Sequence, residues 1–391
     1  MKMKRIVMMT VASRGLVEGI NRYSQLKPDW LFEWVDPSVK GLVALKGTGV
    51  DGLIGYLAGS GSAEAAQSLG CPVVSHSGAM EVCPVPRVSV DSRAAGRLAA
   101  EHFLERGFTR FACLCSGSLA FSRERRAGFA DALAEQGYSC DVCEMATLPR
   151  IVIRRRSRTA DKKLGEWLHR LERPTGLFAI NDTFAWWATE MARENGINVP
   201  EDIAVLGMDD NVMWCVFSRP RLSSIVSPFD QIGYECAALL DSLMEGDLPE
   251  VPDVRIPPTS IMVRQSTDIL ALEDLAVARA LRFIREHAVE RIRVGDAARV
   301  AGVSRRALEM RFKRALGRTV LSELNRCRLE HAKTLLLETS LTVEDIAARS
   351  GFNSARWMHS VFRKTFGAPP GSYRRKRGGI GHGYGVGDGR P

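Results

Sequence analysis

Three polar residues could bind a ligand because of where they stand in the sequence. Asp91, Asn181 and Asp209 each follow a short apolar run that predicts a β-strand. The carboxyl ends of parallel strands are where open α/β sheets bind ligands. Carboxylate and amide groups exchange hydrogen bonds with hydroxyl groups, which both donate and accept. These positions therefore predict a site for a small hydroxyl-rich molecule such as a sugar.

Other polar side chains near the same strand ends are candidates for this site. They are Ser13, Arg14, Arg125 and Asp182. Arg123 and Arg126 crowd beside Arg125, so the sequence leaves open which of the three guanidinium groups faces the ligand. Asp182 is as compatible with capping a helix as with contacting a ligand.

A second set of candidate residues lies in a pattern that occurs twice. The two copies are residues 294–317 and 343–367, offset by about 49 positions. Each copy has a short predicted helix, a turn glycine (Gly302 or Gly351), a polar cap (Ser304 in the first, Asn353 or Ser354 in the second) and a second helix. This is the helix-turn-helix pattern, whose second helix enters the major groove of DNA.

The apolar stripe of each second helix predicts which side chains face outward. Leu308 and Phe312 should face the core in the first copy, and Trp357 and Phe362 in the second. The outward side chains are then the candidates for DNA contact: Arg305, Arg306, Glu309 and Lys313, followed by Arg356, His359, Ser360, Arg363 and Lys364.

These outward side chains divide by the chemistry of their groups. Arginine can bind guanine through two hydrogen bonds and glutamate can accept one from cytosine, so Arg306, Glu309 and Arg356 are the predicted base readers. Cations that neutralise phosphates hold a protein on DNA without reading sequence. The predicted phosphate contacts are Lys313, Arg363, Lys364 and the run from Arg374 to Arg377.

The elements that must position these residues change in type along the chain. From residue 4 to about 265, short β-rich runs alternate with amphipathic helical patterns, which predicts an α/β fold with parallel sheets. Helices are predicted over 92–106, 125–136, 161–171 and 183–195. More than ten elements favour two consecutive doubly wound lobes. A Pro-rich stretch, 248–258, is predicted to be a return strand and exit linker.

The rest of the chain is predicted to be all-helical. The predicted domains are a two-lobed ligand-binding domain over 1–265, a linker over 266–276, a double helix-turn-helix domain over 277–377 and a disordered Gly-rich tail over 378–391. A long helix, about 321–337, is expected to join the two helix-turn-helix units.

Charge is distributed unevenly between these parts. Residues 276–391 contain 24 Lys and Arg against 10 Asp and Glu, a net charge of +14, whereas the whole chain carries +9, which leaves −5 upstream. A basic domain joined to a mildly acidic one indicates that a polyanion binds at one end and something different at the other.

Composition also predicts the environment of the protein. The nine cysteines are scattered through apolar segments, as is usual for reduced cytosolic thiols. The apolar run near the N-terminus is too short for a signal peptide, and no run is long enough for a membrane helix. We expect a cytoplasmic, nucleoid-associated protein without membrane contact. His and Cys form no ligand spacing, so we expect no metal ion and no cofactor.

The helical part resembles the DNA-binding domains of the AraC/XylS family. The resemblance covers about 100 residues and includes the ending Gly-x-x-Pro-x-x-Tyr-Arg, here residues 367–374. It implies that a linker helix holds two recognition helices about one DNA turn apart, so that one domain reads two successive stretches of major groove.

The upstream part resembles the effector domains of the lac-repressor and periplasmic sugar-binding class. The motifs that carry this resemblance are 88–96, 125–129, 178–182, 200–210 and 219–225, in that order. In this class the position of Arg125 usually grips a sugar hydroxyl. A periplasmic-binding-protein-like sugar domain followed by an AraC-type domain is the arrangement of the xylose-operon regulators. That resemblance implies a homodimeric activator that binds a sugar such as D-xylose, double-stranded promoter DNA and RNA polymerase.

Two other classes of function compete with a regulator. AraC-type domains are also fused to DNA-repair methyltransferases that use a zinc-bound cysteine, although the cysteines here lack that ligand arrangement. A sugar receptor without a DNA function is the other alternative, and the basic C-terminal part opposes it.

Overall fold

A computed structural model describes residues 3–10, 13–145, 158–246, 252–258, 260–269, 274–339 and 341–373. The chain divides into two compact units, Met1–Ala271 and Leu272–Pro391. The first unit contains two β-sheets with helices, and the second is helical. The predicted phosphate contacts at 374–377 and the Gly-rich tail fall outside the described residues.

The strands of the first unit form two six-stranded sheets. The strands are β1 (Lys4–Met9), β2 (Trp30–Trp34), β3 (Gly52–Gly55), β4 (Val73–Ser75), β5 (Arg87–Val90), β6 (Phe111–Cys115), β7 (Cys140–Glu144), β8 (Thr175–Ala179), β9 (Ile203–Met208), β10 (Ser223–Val226), β11 (Asp253–Ile256) and β12 (Ser260–Met262). One sheet has the order β11-β5-β4-β3-β1-β2 and is parallel throughout. The other has the order β12-β10-β9-β8-β6-β7, with only β12 antiparallel. The predicted two-lobed α/β fold is confirmed.

The prediction that the two lobes follow one another in sequence is wrong. Strand β11 belongs to the first sheet although it comes after β10, so the chain passes between the sheets after β5, after β10 and after β11. The Pro-rich stretch supplies this return strand, which pairs with β5. The buried Arg87 guanidinium fixes the pairing, because its Nε donates to Asp253 at 2.8 Å. Sequence patterns show single elements, and this pairing depends on a partner about 160 residues away.

Helices cover the faces of both sheets. They are α1 (Arg14–Ser24), α2 (Val39–Ala44), α3 (Ser60–Gln67), α4 (Ser92–Leu104), α5 (Ala120–Ala134), α6 (Arg158–Arg170), α7 (Asp182–Glu194), α8 (Val212–Phe217) and α9 (Phe229–Glu245). Strands β6, β8 and β9 are buried at every residue, as expected for parallel strands with both faces covered. Helix α5 begins five residues before the predicted start, which places Arg125 in its second turn.

Helices α4 and α5 pack backbone against backbone. A Cβ atom on Gly96 would collide with the carbonyl oxygen of Arg125, and one on Gly128 would collide with that of Arg93. Glycine at both positions lets the two helices approach at a distance that no side chain would allow. This contact sets the position of Arg125 relative to the start of α4.

Residues predicted to begin the linker are hydrogen-bonded to strands β9 and β10 of the second sheet. Ser266 is buried and its hydroxyl donates to the carbonyl oxygen of Val205 at 2.6 Å. Thr267 is buried and bonds the Ser223 hydroxyl at 2.7 Å. The α/β unit therefore continues at least through Thr267.

The second unit contains two helix-turn-helix pairs joined by a long helix. Its helices are α10 (Leu275–His287), α11 (Val294–Ala301), α12 (Arg305–Leu316), α13 (Val320–Glu338), α14 (Val343–Arg349) and α15 (Ala355–Phe366). The turn glycines Gly302 and Gly351 have φ angles of 71° and 75°, a left-handed conformation that favours glycine. The Ser304 side chain caps α12, and Ser354 caps α15 by accepting from the Trp357 amide at 3.2 Å.

The predicted inward faces of the two second helices are correct with one exception. Leu308, Phe312 and Phe362 are fully buried. The prediction for Trp357 is wrong, because its side chain is 49 % exposed and Met358 is buried instead. With Ser354 as the cap, the i and i+4 positions that face the core are 358 and 362, and Trp357 lies about 100° away around the helix.

Candidate functional site

The two lobes of the α/β unit meet at the carboxyl ends of their strands. The amide of Ala120, at the start of α5, donates to the carbonyl oxygen of Ala79 at 2.9 Å, and the next amide donates to Gly78 at 3.0 Å. Side chains also bridge the boundary, since Arg123 pairs with Glu81 at 2.9 Å. The segments that follow β4 and β6 are therefore in direct contact.

Arg125 is the guanidinium group that is buried at this boundary. Its side chain is 5 % exposed, donates to the carbonyl oxygen of Ile180, and lies 4.8 Å from the ring centre of Phe121. One nitrogen is 3.6 Å from the carboxylate of Asp209. Burial lowers the pKa of Arg125, and the charge of Asp209 opposes this effect. Its Nε has no hydrogen-bond partner within the described part of the chain.

The other two arginines of the cluster bind elsewhere. Arg123 donates to the carbonyl oxygen of Gly117 at 2.9 Å in addition to its pair with Glu81. Arg126 pairs with Glu144 at 3.2 Å and is partly exposed. Of the three arginines that the sequence left open, Arg125 is the one whose guanidinium group is buried at the lobe boundary.

Asp209 lies in a strained turn directly after β9. Asp209 and Asp210 have φ angles of 100° and 47°, and each non-glycine residue with positive φ costs on the order of 1–3 kcal/mol. The Asp209 carboxylate accepts from the Ser227 hydroxyl at 2.9 Å. Arg264 pairs with Asp210 at 2.7 Å. Such strain persists only where surrounding contacts impose it, and it is typical of functional sites.

Asp182 supplies contacts that hold this turn in place. It is 2 % exposed, and its two oxygens accept from the Asn211 amide at 2.7 Å and from the Ser224 hydroxyl at 2.6 Å. Burial, followed by the charge of Asp209, raises the pKa of Asp182 to about 8. Because its oxygens are used within the protein, Asp182 positions the turn that carries Asp209.

The first lobe contributes polar groups to the same region. Tyr56 follows β3. Burial raises its pKa, and the charge of Asp209 raises it further while that of Arg125 lowers it. The Tyr56 ring contacts the ring of His76, with 5.6 Å between centroids. Burial lowers the pKa of His76 to about 4, so this imidazole is neutral at pH 7.

Two polar atoms in this part of the first lobe are buried without a partner among the described residues. They are Nε2 of His76 and the hydroxyl of Ser89. Ser89 lies at the lobe boundary, because a Cβ atom added at Gly78 would be 3.9 Å from its hydroxyl and 3.5 Å from Phe121. A buried polar atom left unpaired costs about 1–3 kcal/mol, so groups of this kind indicate a site for a polar ligand.

The remaining predicted ligand residues lie at helix starts. The side chains of Asp91 and Asn181 cap α4 and α7 by accepting from Ala94 and Phe184 amides at 2.9 and 3.0 Å. Ser13 occupies the cap position of α1 without a side-chain bond. Arg14 is 91 % exposed and pairs with Glu18 at 2.7 Å, so its guanidinium group lies in solvent, whereas that of Arg125 is buried.

Tyr56, His76 and Ser89 were not predicted from the sequence. A signal for the first two was present, because each stands directly after a predicted strand, as Asp91, Asn181 and Asp209 do. Ser89 lies within β5, and its position at the lobe boundary depends on tertiary packing.

In the helical unit, the predicted DNA contacts lie on the outward faces of α12 and α15. Exposed positions are Arg305, Arg306, Lys313, Arg356, His359, Ser360, Arg363 and Lys364, whereas Glu309 is half-buried. The ammonium group of Lys313 donates to the carbonyl oxygen of Gly317 at the end of α12, at 2.9 Å. A face with these cations can contact phosphates and base edges together.

The two helix-turn-helix pairs are connected by a set of backbone contacts that we call the brace. Arg328, on α13, is buried and donates to the carbonyl oxygens of Ala288, Glu290 and Ile292 at 2.8, 3.0 and 3.2 Å. The turn of the second pair touches the same loop, since a Cβ atom on Gly351 would lie 2.5 Å from the Ala288 oxygen. The brace links α13 and the turn of the second pair to the loop that precedes α11 of the first pair.

The described part of the chain contains neither a membrane-spanning helix nor a group of metal ligands. None of its helices is long and apolar enough to cross a membrane. No three of its His, Cys, Asp and Glu side chains are grouped as metal ligands.

Comparison with known proteins agrees with both parts of this structure. The family "Periplasmic binding protein-like domain" matches residues 100–267, and "Helix-turn-helix domain" matches residues 297–376. The xylose operon regulatory protein of Escherichia coli (strain K12) is 29 % identical over 370 residues, which cover 92 % of this chain and 93 % of that protein. The protein of the same name from Haemophilus influenzae is 28 % identical, covering 93 % and 95 %.

A solved structure extends this similarity to three dimensions. It is described as the xylose-binding transcription activator xylR, and it is 28 % identical to this chain with a TM-score of 0.79. The match covers 96 % of this chain and 98 % of that structure, so both units are included. The chain is therefore a DNA-binding transcription regulator homologous to the xylose operon regulators, with a periplasmic-binding-protein-like domain followed by an AraC-type helix-turn-helix domain.

Proposed function

We propose that this regulator binds a pentose of the D-xylose type at the lobe boundary. It binds promoter DNA through α12 and α15, which we call the two reading helices. It acts by binding, without catalysis, as a homodimer in the cytoplasm. The relatives that match nearly the whole chain are named for the xylose operon, and the solved one is described as xylose-binding and as an activator. The proposed activation includes a contact with RNA polymerase once the protein is on DNA.

The sugar proposal is carried by the pair of buried Arg125 and half-buried Asp209 at the lobe boundary, together with the unpartnered polar atoms of His76 and Ser89 in the other lobe. Arg125 offers a donor and Asp209 an acceptor, which suits a ring hydroxyl that both accepts and donates. His76 and Ser89 supply neutral groups for hydroxyls on the opposite side. Asp91 and Asn181 can add contacts from the oxygen or amide group that does not cap a helix, with Ser13 and Arg14 further out at the mouth.

Sugar binding at a boundary between lobes can change DNA binding only if the sugar prefers one arrangement of the lobes. The contacts that span the boundary include the Arg123–Glu81 pair and an Arg255–Glu124 pair at 3.1 Å. A sugar that binds both lobes adds to these contacts and favours the closed arrangement. Each protomer then presents its two reading helices to successive major-groove segments.

Arg125→Met, with Arg126→Met as its matched control, tests the sugar site by thermal shift of the full chain against D-xylose, D-ribose, L-arabinose and D-glucose. A ligand at 100 times its Kd stabilises the folded protein by about 2.7 kcal/mol. We expect a pentose to raise the Tm of the wild type and of Arg126→Met, and not of Arg125→Met. Asp209→Asn, which keeps side-chain shape, should lose the shift as well. A shift of equal size in all four proteins would contradict this site, and no shift with any sugar would contradict the sugar proposal.

A further inference from the structure

The outward face of α12 carries one large apolar side chain among cations. Met310 is 69 % exposed, and it lies one helical turn from Arg306 on one side and from Lys313 and Arg314 on the other. The core between α11 and α12 lies on the opposite side of α12, where Leu308 is buried. Met310 therefore projects from the middle of the surface that faces DNA.

The corresponding position in the second reading helix is polar. Ser360 stands six residues after its cap, Ser354, as Met310 stands six residues after Ser304. The two helices thus present different chemistry at the same place on their outward faces. An apolar group at this place in only one helix is a means of telling the two stretches of groove apart.

The major groove offers such a side chain a specific partner. Among the groups that base edges present there, the C5 methyl group of thymine is the apolar one. Methionine is flexible and polarisable, so its thioether can adapt to a methyl group at the groove floor. Exposed Arg314 beside it complements the phosphates that border the groove. The charges of Arg306 and Arg314 would oppose an apolar protein partner at the same surface.

We propose that Met310 is a specificity-determining residue that reads one thymine by packing on its C5 methyl group. This inference rests on the proposed placement of α12 in the major groove. The expected contribution follows from burial of a single methyl group, about 0.8 kcal/mol, which is about fourfold in affinity.

The test uses the full chain and replaces thymine by deoxyuridine, which removes only the methyl group. A pool of random duplexes is first enriched on the wild-type protein, and each thymine of the enriched site is then replaced in turn. We expect one replacement to weaken wild-type binding about fourfold and to leave Met310→Gln binding unchanged, because glutamine has a similar length without an apolar end. Leu321→Gln, which replaces an exposed apolar side chain of α13 outside the DNA contact set, is the matched control and should keep the wild-type sensitivity.

Two results would overturn the proposal, and they are distinguishable. If a site is enriched but no replacement separates the wild type from Met310→Gln, the assignment of Met310 is wrong while DNA reading by the protein stands. If no sequence is enriched at all, the proposed placement of the reading helices fails together with the inference. Circular dichroism of Met310→Gln checks that this exposed substitution leaves the helices intact.

Discussion

Gly351 offers a measurable test of the brace that links the two helix-turn-helix pairs. Gly351→Ala and Gly302→Ala both place a Cβ atom on a left-handed residue, with φ of 75° and 71°, which costs about 1–2 kcal/mol in each case. Around Gly302 no heavy atom of the described chain lies within 4 Å of the added atom. At Gly351 the added atom meets the oxygens of Ala288 and Val289 at 2.5 and 2.8 Å, so the backbone must move.

The difference between the two variants isolates the contact. Forcing extra atoms into a packed site typically costs about 1–3 kcal/mol, so Gly351→Ala should destabilise the helical unit by that amount more than Gly302→Ala. Hydrogen exchange of the full chain, followed in peptides from α13 and α15, measures this locally. We expect amides there to exchange roughly 5- to 150-fold faster in Gly351→Ala than in Gly302→Ala. Equal exchange in the two variants would show that the turn does not touch the 288–289 loop in solution.

Two other expectations concern titration and DNA reading. Because the pKa of Asp182 is raised to about 8 from 3.8, its bound proton stabilises the folded state. This contribution to the free energy of unfolding is complete below about pH 4 and is lost as the pH rises to about 8. Asp182→Asn should therefore gain Tm relative to the wild type between pH 5 and pH 9, and a gap that does not change with pH would refute the buried neutral carboxyl. Arg306→Ala should relax preference at one base pair, at a cost of about 1–3 kcal/mol, whereas Lys364→Ala should weaken all sequences alike and reduce the salt slope by about 1. Identical effects of these two variants on sequence preference would contradict the division into base and phosphate contacts.

The sequence was most informative where a local pattern decides the structure. The cap Ser304, the turn glycines and the buried Leu308 and Phe362 follow from short-range patterns, and the structure has them in these roles. The second cap was open between Asn353 and Ser354, and it is Ser354. Trp357 shows the limit of that method, since an apolar residue one position from the core stripe cannot be told from a core residue until the cap fixes the phase of the helix.

Features that depend on distant partners could not be predicted. The return of β11 to the first sheet requires pairing with β5, and the choice of Arg125 over its neighbours depends on where the lobes meet. The sequence left Asp182 open between a cap and a ligand contact; in the structure Asn181 is the cap of this helix. Asp182 supports the strained Asp209–Asp210 turn through Asn211 and Ser224, residues that come later in the chain.

We expect that a sugar bound between the lobes changes DNA binding by the helical unit. This effect is tested most directly by titrating the full chain onto its enriched duplex, at fixed salt, with and without saturating D-xylose. We predict that D-xylose changes the Kd for the wild type and for Arg126→Met, and leaves it unchanged for Asp209→Asn. A Kd that is the same with and without every pentose tested, for a protein that binds its duplex specifically, would contradict this expectation.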